Sequence, residues 1–92
     1  MLAISFDMVV AELERLHPRS IRAAYADIER VMARHGFRGI QGSVYMGSNN
    51  DFGTLVMLIN DLRALSWFPA AVRDIRAFRV EQWSDMTAAI KS

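Results

Sequence analysis

Hydrophobic and polar positions alternate most clearly at the start of the chain. Leu2, Ile4 and Phe6 share one side of an extended segment, and Ala3, Ser5 and Asp7 share the other. That period of two predicts a strand over Leu2 to Met8. Val9 to Leu16 reads as a short helical turn with Val10 and Leu13 on one side. His17-Pro18 interrupts it and leads into the next helix, because proline is tolerated in a first turn. Ile21, Ala24, Tyr25, Ile28, Val31 and Met32 then recur at helical spacing, while Arg19, Arg22, Asp27, Arg30 and Arg34 mostly avoid that stripe. Gly36 suits a left-handed cap at the end of this helix.

Phe37 to Gly47 is strand-like but broken by Gly39 and Gly42, which predicts two short strands or one bulged strand. Within the second piece Val44 and Met46 share a face, and Ser43, Tyr45 and Gly47 share the other. Ser48-Asn49-Asn50 predicts a turn, and Asn50 or Asp51 can cap a second long helix striped by Leu55, Leu58, Ile59 and Leu62. Ser66 to Pro69 starts a short turn. Arg73 to Gln82 reads as the last strand, but its alternation slips: Ile75 and Ala77 fall on one face, Phe78 and Val80 on the other. A bulge near Ala77 explains the slip, and so does burial on both faces, which would call for a second subunit. Trp83, Met86 and Ile90 recur near helical spacing in the tail, with Ser84 as candidate cap.

This order predicts an α+β fold, a ferredoxin-like βαββαβ sandwich with two helices on one face of a small antiparallel sheet and a C-terminal extension. Right-handed crossovers place the first strand in the middle of the sheet. The uncovered face is expected to carry Ala3, Ser5, Asp7, Ser43 and Tyr45 and to serve as a dimer surface.

Composition narrows the picture. The 92 residues suit a single domain over 1–92, and 52% hydrophobic with 23% charged residues can build a core. So short a domain buries little more than ~60% of its unfolded surface and gains from a partner subunit. Eleven basic against ten acidic residues leave a net charge of +1, which excludes a strongly basic nucleic-acid coat. The lack of cysteine excludes disulfides, thiolate zinc sites and a cysteine nucleophile. No apolar run approaches the ~18 residues of a membrane span, so a soluble cytoplasmic protein with no membrane partner is expected. Ten of the eleven basic residues are arginine. A GC-rich genome produces that bias, and so does phosphate recognition by planar guanidinium groups.

Asp7 ends a hydrophobic strand, where a carboxylate can hold a divalent cation, orient a hydroxyl, or simply cap the following turn. Ser43 and Tyr45, if they share its face, can hydrogen-bond a phosphate or a ribose, or merely satisfy cross-strand packing. Arg73, Arg76 and Arg79 punctuate the last strand with Asp74 and Glu81 among them, as phosphate clamps or as ordinary ion pairs. His17 and His35 lie near opposite ends of one helix, too far apart for a shared catalytic pair, and the helix dipole accounts for His35. No glycine-rich phosphate loop, helix-turn-helix, zinc motif or RNA-recognition-sheet signature is present.

The chain also resembles the virulence-associated protein D (VapD) family along nearly its whole length. The resemblance is carried by Ala3-Ile4-Ser5-Phe6-Asp7, Gly36-Phe37, Gln41-Gly42-Ser43-Val44-Tyr45, Trp67-Phe68, Val72-Arg73-Asp74-Ile75-Arg76-Ala77-Phe78 and Ser84-Asp85. It implies a ferredoxin-like homodimer with endoribonuclease activity, the toxin of a toxin–antitoxin pair with a cognate antitoxin protein as partner. The fold is also similar to that of the small CRISPR adaptation protein, which implies a catalytic or Mg²⁺-binding role for Asp7. On that reading Ser43 and Tyr45 position the scissile phosphate of an RNA substrate, and Arg73 and Arg76 offset its charge. The competing class is a non-catalytic dimeric module that binds RNA or protein, since the fold hosts many functions.

Overall fold

In a computed structural model, residues 1–48 and 50–92 of the chain are described. Four strands, β1 (Leu2–Met8), β2 (Phe37–Gln41), β3 (Val44–Gly47) and β4 (Val72–Arg79), form one antiparallel sheet in the order β2-β3-β1-β4. The helices are α1 (Val10–Leu16), α2 (Ile21–Arg34), α3 (Phe52–Ala64), α4 (Phe68–Ala71) and α5 (Thr87–Lys91). The elements β1, α2, β2, β3, α3 and β4 make the expected ferredoxin-like frame, with β1 central.

The long helices form where the stripes lie. Ala24, Ile28, Val31 and Met32 of α2 and Leu55, Leu58 and Leu62 of α3 are buried against Ile4, Phe6 and Met8 of β1. Ser20 caps α2 by accepting from the Ala23 N–H at 3.0 Å, so Pro18 lies before the cap and not in the helix. Gly36 ends α2 at φ +79°, the left-handed conformation glycine allows at no Cβ penalty. Asp51 caps α3 through the Gly53 N–H at 2.9 Å. Of the predicted turn at residues 48–50, Asn49 lies outside the described residues. In α1 only Leu13 is buried; Val10, expected on the same side, is the first residue of the helix and is 51% exposed.

Three expectations are corrected. First, the faces of β3 are reversed. Tyr45 pairs with Ile4, while Val44 pairs with Ser5 and Met46 with Ala3. Tyr45 therefore points toward the helices, buried beside Phe6 at 6.0 Å between ring centroids, and Val44 and Met46 take the open face. Its ring also lies over Gly39, where an added Cβ would meet the Tyr45 edge at 3.5 Å, an ordinary contact. Second, β4 ends at Arg79, and its irregularity lies opposite Asp7 and Met8, not at Ala77. Ile75 and Ala77 face Phe6 and Ile4, Phe78 faces Ala3 on the open side, and the strand is a largely exposed edge. Third, the tail holds a five-residue α5 with no side-chain cap from Ser84; Asp85 instead accepts from the Thr87 N–H at 2.9 Å. No helix among the described residues is long and apolar enough to cross a membrane.

The open face reads as rows across the sheet. Arg38, Met46, Ala3 and Phe78 form one row, and Gln41, Val44, Ser5 and Arg76 the next. Asp7 and Asp74 stand together in a third.

Candidate active site

Asp7 sits one residue before the end of β1, on the open face that alternation assigns it, 59% exposed. A bulge positions its partner. Asp7 pairs with Asp74 and Met8 with Val72, so Arg73 is the extra residue on β4. A bulged residue is released from the ladder and re-aims its side chain. Arg73 uses that freedom to donate from Nη1 to Asp7 Oδ2 at 3.1 Å. Asp74, held directly across from Asp7, is met in turn by Arg76, whose Nε donates to Asp74 Oδ2 at 2.9 Å.

The result is a quartet of two carboxylates and two guanidinium groups with no net charge. Like charges directly opposite each other across strands repel, and the two arginines offset that repulsion. All four side chains are at least half exposed, so each ion pair contributes no more than ~1 kcal/mol. The guanidinium groups can therefore exchange a carboxylate for a phosphate oxygen, which they bind in the same forked geometry.

The structure brings together Asp7, Arg73 and Arg76 of the sequence-predicted residues. Ser43 is near: its carbonyl accepts from the Phe6 N–H at 3.1 Å, one residue from Asp7. Tyr45 is not brought to the site, since it packs beneath the sheet. Burial raises its hydroxyl pKa above the ordinary value, and the Glu29 carboxylate on α2 adds to the rise. Asp74 was legible only as an ion-pair partner of the arginines. Its place beside Asp7 depends on the register and the bulge.

The histidines serve the scaffold. His17 Nε2 lies 2.8 Å from Asp27 Oδ2, and its Nδ1 accepts from the backbone N–H groups of Arg19 at 3.1 Å and Ser20 at 3.4 Å. His35 Nε2 lies 2.6 Å from Asp61 Oδ2, joining the end of α2 to α3. Neither belongs to the quartet.

For Mg²⁺ the donor set falls short. Among the described residues no three histidine, aspartate or glutamate side chains converge. Asp7 and Asp74 are the two candidate oxygen donors, and each is already neutralised by a guanidinium. Magnesium favours an octahedral shell of water, carboxylate and phosphate oxygens. One chain's quartet does not supply a resident site for it.

No protein-family model matches the chain. Individual relatives do. It is 55% identical over 92 residues, all of both chains, to an endoribonuclease VapD homolog of Neisseria gonorrhoeae. It is 46% identical over 92 residues to endoribonuclease VapD of Haemophilus influenzae, again covering both chains fully. Endoribonuclease VapD of Helicobacter pylori is 37% identical over 94 residues, with full coverage of each. With relatives this similar from end to end, and with the sheet order that the sequence pattern predicts, the chain belongs to the VapD family.

Proposed function

We propose that the chain is an endoribonuclease acting on RNA as a homodimer, in the cytoplasm, as the toxin partner of a cognate antitoxin protein. The observation that carries the ribonuclease reading is the exposed Asp7–Arg73 pair beside Asp74–Arg76 at one end of the sheet, in a chain whose relatives bear that activity in their names. The dimer is supported by Phe78, a large apolar side chain left 44% exposed on the open side of the edge strand β4.

RNA supplies its own nucleophile. Asp7 takes the proton of a ribose 2′-hydroxyl, and the 2′-oxygen attacks the adjacent phosphorus. The bond from phosphorus to the 5′-oxygen breaks, leaving a 2′,3′-cyclic phosphate and a 5′-hydroxyl end. Arg73 and Arg76 turn from their carboxylates to the phosphate and stabilise the charge that grows on its oxygens. The leaving oxygen takes its proton from water. Both histidines are engaged elsewhere and the only lysine lies at position 91 in the tail, so no side chain of the quartet is a general acid and turnover is slow.

Wild type and Asp7→Asn, purified identically, are compared on labelled RNA with EDTA and with Mg²⁺. Fragments from wild type alone, in both arms, are expected. Equal fragments from both proteins would remove Asp7 from the mechanism, and shifted bands without fragments would make the chain a binding module. Fragments only with Mg²⁺ would refute the metal-free step.

A further inference from the structure

Away from the quartet, at the opposite end of the sheet, Trp83 of the tail lines an open cleft of about 520 Å³ beside β2. It is lined by Phe37, Arg38, Ile40 and Met46 and by Ala33 and Gly36 at the end of α2. That volume lies within the range of small-ligand sites. Trp83 is 43% exposed although the indole is among the largest apolar surfaces a protein has, and a free aromatic face of that kind is a stacking platform. Arg38 is exposed and has no carboxylate in ion-pair distance among the described residues, unlike Arg73 and Arg76. Among the described residues no acidic side chain lines this cleft. A neighbouring cleft that Trp83 also lines, about 500 Å³, holds Asp85 together with Lys91, so its charges offset one another.

We infer that the Trp83–Arg38 cleft is a second RNA contact, in which an unpaired base stacks on Trp83 and its phosphate meets Arg38. The inference rests on the ribonuclease reading and adds to it the substrate class: single-stranded RNA held some distance from the cut. A duplex cannot use the site, because its bases are already stacked on one another; a single strand can, because any base offers a π-face. The cleft lies at the β2 edge of the sheet, where Arg38 and Met46 of the quartet's face meet Ala33 and Gly36 at the end of α2. Arg38 shares a row with Ala3, two strands away, and Asp7 lies four residues further along β1. Strand geometry puts Arg38 and Asp7 roughly 16 Å apart, within the span of a short oligonucleotide.

The test uses the full chain carrying Asp7→Asn, so that RNA is bound without being cut. Probes are end-labelled hexaadenylate and a blunt RNA duplex, with affinity read by anisotropy and stacking by tryptophan fluorescence. Trp67 is buried, so quenching reports Trp83. Hexaadenylate is expected to quench the fluorescence. Trp83→Leu should weaken its binding about tenfold, toward the low end of what stacking contributes per base, and Trp83→Phe should restore most of it. Arg38→Ala should lower the slope of log affinity against log salt by about 0.7. Duplex affinity should not change in any of the three. Unchanged hexaadenylate affinity in Trp83→Leu would overturn the inference, and so would an equal loss for the duplex. A shift of Trp83→Leu from dimer to monomer in light scattering, without RNA, would assign the cleft to a second copy instead. A chain that binds hexaadenylate through Trp83 but whose wild type cuts nothing would refute the ribonuclease reading and leave this one standing.

Discussion

Replacing His17 with alanine should destabilise the protein by about 3 kcal/mol, far more than any single exposed ion pair contributes. The side chain is 1% exposed and ties four segments together. Its Nδ1 is occupied by two backbone donors, so the ring proton sits on Nε2 and is donated to Asp27. The ring also meets Trp67 edge-on at 5.0 Å between centroids. Truncation removes a hydrogen bond to a charged group, ~1.5–3 kcal/mol, and an aromatic pair, ~0.5–1.5 kcal/mol. It also strands the Arg19 N–H, partly offset by water. For a domain of this size ~3 kcal/mol lowers the melting temperature by roughly 12–24 °C. Urea unfolding followed by circular dichroism reads the loss directly. His17→Asn, which keeps an acceptor near the Nδ1 position but cannot reach Asp27, should fall between. A loss below about 0.5 kcal/mol in His17→Ala would refute the reasoning, since that is the scale of an ordinary surface change. The linkage has a sign that can be checked. The His17 hydrogen bond is the chief reason the Asp27 carboxyl is held below its ordinary value of 3.8; partial burial opposes it, and the charges of Arg30 and Arg19 add to it. A depressed carboxyl contributes stability that is complete above 3.8 and is lost as pH falls through the folded value. The contribution of the His17–Asp27 bond to wild-type stability should therefore shrink below pH 3.8.

Gly47→Ala should cost ~1–3 kcal/mol in the same unfolding assay: a Cβ there would lie 2.9 Å from the Phe37 ring, which is 2% exposed and has nowhere to swing. Tyr45→Phe should keep RNA cleavage within about twofold of wild type, because the hydroxyl lies beneath the sheet; general acid–base partners are worth ~10²–10⁴, so the gel distinguishes the two cases easily. Asp7→Asn should unfold within ~0.5 kcal/mol of wild type, since an exposed pair contributes little and removing one carboxylate relieves repulsion from Asp74. Its lost cleavage is then chemistry and not unfolding. Binding of hexaadenylate through Arg73, Arg76 and Arg38 should show a slope of roughly −2 against log salt, and a slope near zero would exclude phosphate contacts by these arginines.

What was legible in the sequence was whatever a single segment decides for itself. The α2 stripe is flanked by charged residues, so its inner face is unambiguous, and β1 alternates from Leu2 to Asp7 without a break. Gly36 and Asp51 declare their caps by residue type alone. What failed needed a neighbour. Val44, Tyr45 and Met46 all tolerate burial, so alternation gives two faces without saying which is inward; the pairing of Ile4 with Tyr45 decides it. The slip in β4 shows that a strand is irregular, but its location depends on which β4 residue stands opposite Met8. The tail failed for a different reason. Trp83, Met86 and Ile90 have helical spacing, but Trp83 lies against the β2 edge outside the short α5, and Met86 and Ile90 are left 61% and 82% exposed.

The bulge is the step that turns this fold into a site. In a regular ladder Arg73, next to Asp74, would point to the helix side, where a guanidinium has no place beside Phe6 and Met8. Leaving it unpaired lets it lie over the sheet end and meet Asp7, while Asp74 keeps its register opposite the same carboxylate. One inserted residue thus assembles two acids and two bases from only two strands. The neutrality that follows has a consequence for how RNA is taken up. A quartet with no net charge does little to steer a polyanion, and the chain's net charge of +1 adds little. Capture must come from contacts made elsewhere on the strand. Once it is held, exchanging a solvent-screened carboxylate for a phosphate is favourable, because both arginines then gain a charge-assisted bond to the group that becomes more negative as the reaction proceeds. In the proposed mechanism the freed carboxylate of Asp7 is then left beside the ribose with no cation on it, which is the state a proton acceptor needs. On this account ion pairing silences Asp7 in the free protein, and the substrate's own phosphate releases it.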